Sequence, residues 1–281
     1  MSWRFALTPK WLVRHVLVVA LVVAMVSAGF WQLRRLDDKR AYRDLVGERQ
    51  EEPVAEVTSL LAAGDEVGAT AVDDVLYRTA SARGRYVDDE TVVVENRTFN
   101  GSPGGWVLTP LALGEGAAVV VNRGFIGFDR NGRVVAPPAP DGAVTVEGLL
   151  FPSQEREGIG RSDPDDGSLD VLVRADLDRY QARVDLDLLP AYLQLVVSDP
   201  VEAAAAPGEA ELVPLGAPEL DLGPHLGYSV QWFIFSTIAG GGYLLLLWRV
   251  ARDRARDERL EASVGNDDLD RELEDLLRSE R

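Results

Sequence analysis

Two stretches without a charged side chain limit what this sequence can fold into. Residues 16–31, VLVVALVVAMVSAGFW, carry no charge, and with Leu33 the run reaches helix-spanning length. Residues 228–248, YSVQWFIFSTIAGGGYLLLLW, repeat the pattern near the other end of the chain. About 20 apolar residues at roughly 1.5 Å rise cross a hydrocarbon core of about 30 Å, so both runs read as transmembrane helices. The triplet Val26-Ser27-Ala28 has the small residues of a signal-peptide cleavage site, but the apolar run continues past it to Leu33, longer than a signal core.

The flanking charges set the expected orientation. Arg4, Lys10 and Arg14 precede the first run; Arg249, Arg252, Arg254, Arg256 and Arg259 follow the second. Basic residues beside a span favour the cytoplasm, and a long intervening segment translocates whatever its charge. Arg34, Arg35, Lys39, Arg40 and Arg43 oppose that orientation. With two spans both tails must share a side, and the expectation is a multi-pass protein of the plasma membrane. It runs as a cytoplasmic tail (1–14), a first span (15–33), an extracytoplasmic domain (34–227), a second span (228–248) and a charged cytoplasmic tail (249–281).

The whole chain has 46 acidic and 29 basic residues, a formal net charge of −17, which repels a phosphate backbone and excludes nucleic acid as a partner. Between the spans, residues 34–50 read as a charged helical continuation of the first, and a short helix is expected around Thr58 to Ala63. Strand signals follow at 75–87, 91–99, 104–111, 117–128, 143–151 and 191–197. These β-branched or aromatic runs are separated by turn pairs such as Asp88-Asp89 and Asp141-Gly142. Strands this closely spaced imply mainly antiparallel pairing. The expected class is an integral membrane α+β protein: two transmembrane helices flanking a mainly antiparallel β domain, a small barrel or sandwich, with a few short helices. Residues 176–184 are one of those helices, with Asp176 as N-cap. Residues 152–170 read as a polar loop and 202–224 as an Ala/Pro linker. Leu269, Leu273, Leu276 and Leu277 would share one face of a C-terminal helix.

Composition removes several chemistries. With no cysteine, two methionines and two histidines far apart, the chain offers no soft cluster for copper and no structural zinc site. No phosphate-binding loop and no Gly-x-Ser-x-Gly element is present, and no acid, base and nucleophile converge, so an enzyme is not expected.

Polar and aromatic side chains collect where the two antiparallel spans would end in the same leaflet. These are Trp31, Gln32, Arg34 and Arg35 after the first, and His225, Tyr228, Gln231 and Trp232 at the start of the second. Ala20, Ala24 and Ala28 on one span and Ser236 and Gly240 on the other are small-residue stripes along which helices could approach closely. Trp31, Tyr228 and Trp232 fit interfacial anchors, Gln32 and Gln231 fit cross-helix bonds, and Arg34 and Arg35 fit flanking charges. His225 follows Pro224 at a helix start, where the positive dipole end keeps the imidazole neutral. A neutral imidazole in an apolar setting is an axial ligand for heme iron, with Tyr228 and Trp232 against the ring and Arg34 or Arg35 near its propionates. His15, beside Arg14, reads only as facing lipid headgroups.

Several motifs occur together in order. GFWQLRRLDDKR (29–40) closes the first span and EEPV (51–54) follows. YRTASARGRYV (77–87) precedes VVVENR (92–97); GGWVLTPL (104–111) and VVVNRGFI (119–126) come next, then VTVEGLL (144–150) and HLGYSVQWFIF (225–235). In this succession the chain resembles the surfeit-locus (Surf/Shy) family of cytochrome c oxidase assembly factors. Phe125 stands where the family usually has Trp, and Gly227 where a bulkier residue is common. The resemblance implies an assembly factor for the heme-copper oxidase that holds or hands over heme a to the catalytic subunit. The implied partners are that subunit, heme a synthesis machinery and membrane lipid. It raises His225 as the heme contact and leaves Asn122, Arg123 and Gly124 as a structural strand-end turn. The rival expectation is a two-span scaffold whose β domain grips a protein partner and never meets heme.

Overall fold

The computed structural model describes residues 3–61, 72–129, 132–155, 171–202 and 210–279, with side chains up to 260. Residues 156–170 of the polar loop expected at 152–170, and the side chains of the leucine face at 269–277, therefore lie outside what is described, while Pro152 ends a strand. The chain divides into two compact units, Met1–Ala41 with Asp221–Arg281, and Tyr42–Leu220.

The first unit is built on two helices long and apolar enough to cross a bilayer. Helix α1 runs unbroken from Pro9 to Glu51. The charged segment 34–50 thus continues the helix as expected: it contains no proline, and its Arg, Lys, Leu and Ala residues are strong helix formers. At 43 residues α1 is about 65 Å long, well beyond a hydrocarbon core. A second long helix, numbered α4 below, covers His225–Ser279.

The second unit is a β-barrel. Its strands are β1 (Ala55–Glu56), β2 (Thr79–Tyr86), β3 (Val92–Phe99), β4 (Ser102–Gly114), β5 (Ala117–Gly127), β6 (Val144–Pro152), β7 (Val171–Leu172), β8 (Asp187–Leu188), β9 (Ala191–Asp199) and β10 (Leu212–Val213). Among the described residues they are accompanied by short helices that include α2 (Val57–Leu60) and α3 (Leu177–Gln181). All six expected strands form; the first begins at Thr79, later than its β-branched run, because residues 73–77 are taken up by helical and turn backbone. The expected cap of α3 is present: the Asp176 carboxylate accepts a hydrogen bond from the Arg179 amide at 3.2 Å.

Five strands close a ring, β2–β6–β9–β5–β4, sealed by Arg85 and Tyr86 of β2 pairing Ala112 and Leu111 of β4. Four of the five ring pairings are antiparallel and β5–β9 is parallel. Numbered along the chain, the ring order is first, second, third, fifth, fourth, the connectivity of OB-type Greek-key barrels. The barrel resolves the open choice between barrel and sandwich.

The alternation of a pleated strand divides β5 between two cores. Val119 and Val121 point into the barrel with Ala80, Leu111, Val146, Leu150 and Leu193. Ala118 and Val120 point outward and are equally buried, beneath Val92, Val94, Leu172, Leu177, Tyr180 and Tyr192. The cover comes from two excursions of the barrel: β3, between its first and second strands, and β7, α3 and β8, between its fourth and fifth. They meet directly, since β3 pairs β7, Arg183 lies 3.1 Å from the Glu90 carboxylate, and the Arg97 guanidinium donates to Gln154 at 2.8 Å. In OB barrels this face and these loops form the ligand platform. Here the chain's own side chains fill it.

Asn122-Arg123-Gly124 is not the strand-end turn expected from the sequence. Val107 pairs Gly124 and Leu108 pairs Asn122, so Arg123 is the extra residue of a bulge inside β5. Gly124 takes φ +144, and a Cβ there would meet the Val213 carbonyl oxygen at 2.5 Å; the close approach of β10 requires glycine. The bulge aims Arg123, fully buried, at four acceptor contacts. Nε and Nη2 donate to the Glu202 carboxylate at 2.9 and 2.6 Å, and Nη1 and Nη2 to the carbonyls of Pro137 and Pro138 at 3.0 and 3.1 Å. As the sequence suggested, Arg123 is a satisfied structural contact.

Candidate functional site in the helix pair

Helices α1 and α4 pack antiparallel along a seam with a seven-residue repeat on each. On α1 the seam positions are His15, Val22 and Gly29; on α4 they are Ser229, Ser236 and Tyr243. A strict seven-residue spacing keeps one stripe facing a partner helix. At its centre the Ser229 hydroxyl donates to the Gly29 carbonyl at 3.0 Å. Phe233 lies so close over Gly29 that a Cβ there would come within 2.8 Å of its ring, and Phe233 meets Phe30 edge-on at 5.4 Å.

The alanine stripe expected from the sequence is not this seam. Ala20 and Ala24 are exposed, while Gly29 carries the close approach and Val22 faces Gly240. The expected α4 positions, Ser236 and Gly240, do lie on it, with Ser236 buried.

Each end of the seam carries one of the two histidines. At one end, His15 does not simply face headgroups. Its Nδ1 lies 2.7 Å from the Tyr243 hydroxyl and its Nε2 3.0 Å from the Ala6 carbonyl. The Ala6 carbonyl can only accept, so Nε2 carries the proton and Tyr243 donates to Nδ1. Both ring nitrogens are used. The 3₁₀ turn Arg4–Leu7 is thereby tied back onto the helices, with Phe5 buried beneath the Arg254 guanidinium at 4.8 Å from the ring centroid.

At the other end, the first residue of α4, His225, reaches across to α1. Its Nδ1 lies 2.8 Å from the Gln32 side-chain oxygen. It is a side-chain hydrogen bond that joins two of the residues singled out at the rim. Gln32 bonds His225 rather than a second glutamine; Gln231 points outward and is exposed. Trp232, seven residues on, shares the side of His225 and is half-buried, its ring edge-on to Phe235. Tyr228 and Trp31 are half-exposed, and Arg34 and Arg35 are exposed.

The donor set of this end fits heme better than a bare ion. Among the described residues no three His, Cys, Asp or Glu side chains converge on a metal position. A single imidazole is nevertheless enough where a porphyrin supplies four equatorial nitrogens. Beside the ring runs Gly223, at φ +66; a Cβ there would stand 3.5 Å from both Nε2 and Cδ2 of His225, against the nitrogen left free by Gln32.

The signal that identifies the seam, including Gly29, Phe233 and the His15–Tyr243 pair, is the doubled seven-residue repeat. Hydropathy conceals it because every face of these helices is apolar. The SURF1 family matches residues 19–237, a stretch from within the first apolar run to within the second, including both sides of the His225–Gln32 contact. The chain belongs to the SURF1 family. That family is known generally for cytochrome oxidase assembly factors, and the resemblance drawn from the motifs is confirmed. A SURF1-like protein of Mycobacterium tuberculosis is 26% identical over 263 residues, covering 90% of this chain and 89% of its own length. A SURF1-like protein of Rickettsia bellii is 22% identical over 221 residues, 77% of this chain and 83% of its own.

Proposed function

We propose that this SURF1-family protein is a non-enzymatic assembly factor of the plasma membrane that holds heme a through His225 for the catalytic subunit of a heme-copper oxidase. In this reading α1 and α4 cross the bilayer with both termini in the cytoplasm, and the barrel is extracytoplasmic. The observation that carries it is the asymmetry of the two histidines: both nitrogens of His15 are bonded within the protein, whereas among the described residues His225 has a hydrogen-bond partner on Nδ1 alone.

When bound, heme would supply the iron. His225 would provide the ligating nitrogen, and Gln32 would hold the imidazole in place. Tyr228 and Trp232, three and seven residues further along α4, would offer apolar faces beside it. Arg34 and Arg35 at the end of the apolar run of α1 would be near enough to the aqueous boundary to meet propionates. Holding by a single imidazole would suit a carrier that must release what it holds.

The test is spectroscopic. Protein purified in detergent from cells making heme a should show a Soret band that is lost in His225→Ala and kept in His15→Ala. Membranes from a deletion strain should lose the heme a oxidase signal in a difference spectrum. A Soret band of full intensity in His225→Ala would refute the ligand role, and an unaltered oxidase signal in the deletion strain would refute the assembly role.

A further inference from the structure

We infer that Gln32 is a positioning residue for heme: its side-chain carbonyl fixes His225 as the Nδ1–H tautomer and so presents Nε2 as the ligating nitrogen. The inference rests on the heme-carrier reading above and names the device that would make the site competent. It begins from the contact between His225 Nδ1 and Gln32 Oε1 at 2.8 Å. An amide oxygen only accepts, so the bond requires a proton on Nδ1. A neutral imidazole has one N–H and one lone pair, and with Nδ1 protonated the lone pair is on Nε2. Nε2 has no hydrogen-bond partner among the described residues, and a Cβ on Gly223 would stand 3.5 Å from it, at ordinary van der Waals contact.

His15 supplies the internal control. Its Nε2 proton is taken by the Ala6 carbonyl and its Nδ1 lone pair by Tyr243, so the tautomer is the opposite one and no nitrogen remains for a ligand. The same side chain, on the same pair of helices, is closed at one end and open at the other. The partner at the open end matters for its chemistry. Imidazole ligands commonly donate their second N–H to a carboxylate or carbonyl, which orients the ring and raises its basicity. A neutral amide orients the ring with less charge transfer than a carboxylate would. Gln32 therefore gives a directed ligand of moderate strength, as transient holding requires.

The experiment uses the full-length protein in detergent, with ¹⁵N-histidine and no heme, followed by titration with heme a. Wild type should give two opposite neutral tautomers, Nδ1–H for His225 and Nε2–H for His15, assigned by loss of one signal in His15→Gln. In Gln32→Leu the His225 signal should move to a mixture of tautomers, and heme affinity should fall by about 10–100-fold. Gln32→Glu, which still accepts from Nδ1–H and as a carboxylate raises the basicity of the ring, should restore the tautomer and hold heme at least as tightly as wild type, separating positioning from a general loss of helix packing. An Nε2–H tautomer of His225 in wild type, or heme affinity unchanged in Gln32→Leu, would overturn the inference alone. Wild-type protein that shows the Nδ1–H tautomer but takes up no heme overturns the carrier reading, and with it the ligating role of Nε2.

Discussion

Arg123 in the barrel and His225 in the helix pair are both polar side chains in largely apolar surroundings, and they are treated in opposite ways. Arg123 is enclosed completely and spends its donors on Glu202, Pro137 and Pro138. His225 is half-buried and has one nitrogen engaged. A buried polar group that is fully matched holds structure together, because removing any partner leaves an unpaid desolvation cost. A group left half-matched at a boundary contributes little to stability and remains available to a ligand. The same distinction separates His15 from His225 within a single unit.

Stability measurements can break this comparison, and the expected effects descend in size from the barrel to the helix pair. Glu202→Ala leaves the Arg123 charge buried without its carboxylate and should cost about 3–5 kcal/mol in denaturant unfolding; replacing both partners with apolar residues should cost much less. A near-zero cost for the single substitution would show that Arg123 is not the sealed group described.

Tyr180 tests the cover over the outer face of the barrel. Its buried hydroxyl lies 2.6 Å from the Glu90 carbonyl and 3.0 Å from the Leu108 carbonyl. Tyr180→Phe leaves those carbonyls short of a donor and should destabilise by about 1–3 kcal/mol, with protease cleavage appearing first around α3.

Alkaline pH probes the same region. Burial pushes the hydroxyl pKa values of Tyr86, Tyr180 and Tyr192 up from the ordinary tyrosine value, with the Glu202 carboxylate adding to the rise at Tyr86. A tyrosine with a raised folded-state pKa binds its proton more tightly folded than unfolded. The stability this gives is complete below about pH 10 and is lost as pH climbs through the window above it, at roughly 1.4 kcal/mol per pH unit for each tyrosine. Unfolding free energy should therefore fall steeply above pH 10 and less steeply in Tyr180→Phe measured against its own neutral-pH value. An unchanged slope in that variant would remove Tyr180 from the account.

The smallest effects distinguish the two histidines. His15→Ala breaks two hydrogen bonds and should lower the stability of the helix pair by about 1 kcal/mol, given the modest strength of such bonds between membrane helices. His225→Ala should change it by about half that or less while abolishing the heme signal. A large loss of stability in His225→Ala would mean that this residue, like Arg123, is architectural.

Much of the β domain was legible in the linear order of residues. Alternating β-branched runs and turn pairs located all six long strands because those signals are local, and Asp176 marked its helix start for the same reason. The closure of the barrel was not legible. It depends on Arg85 and Tyr86 meeting Leu111 and Ala112, a contact between distant segments with no local signature. The bulge at Arg123 was missed because Asn-Arg-Gly, taken locally, reads as a turn. Only the register against β4 shows the extra residue. At the rim, His225 and Gln32 were both singled out for their chemistry, but nothing in their spacing joined them. The alanines were misread because small residues permit close packing without requiring it, whereas the seam follows the residues that repeat every seven.

By itself the sequence determined that two apolar helices bracket a strand-rich acidic domain and that only two imidazoles are present. Its motifs pointed to the family to which the chain belongs. Those properties follow from composition and local pattern. Which imidazole is closed and which is open was decided only in three dimensions. A hydrogen bond depends on the distance and direction between groups more than 190 residues apart, and only the register of the two helices supplies those.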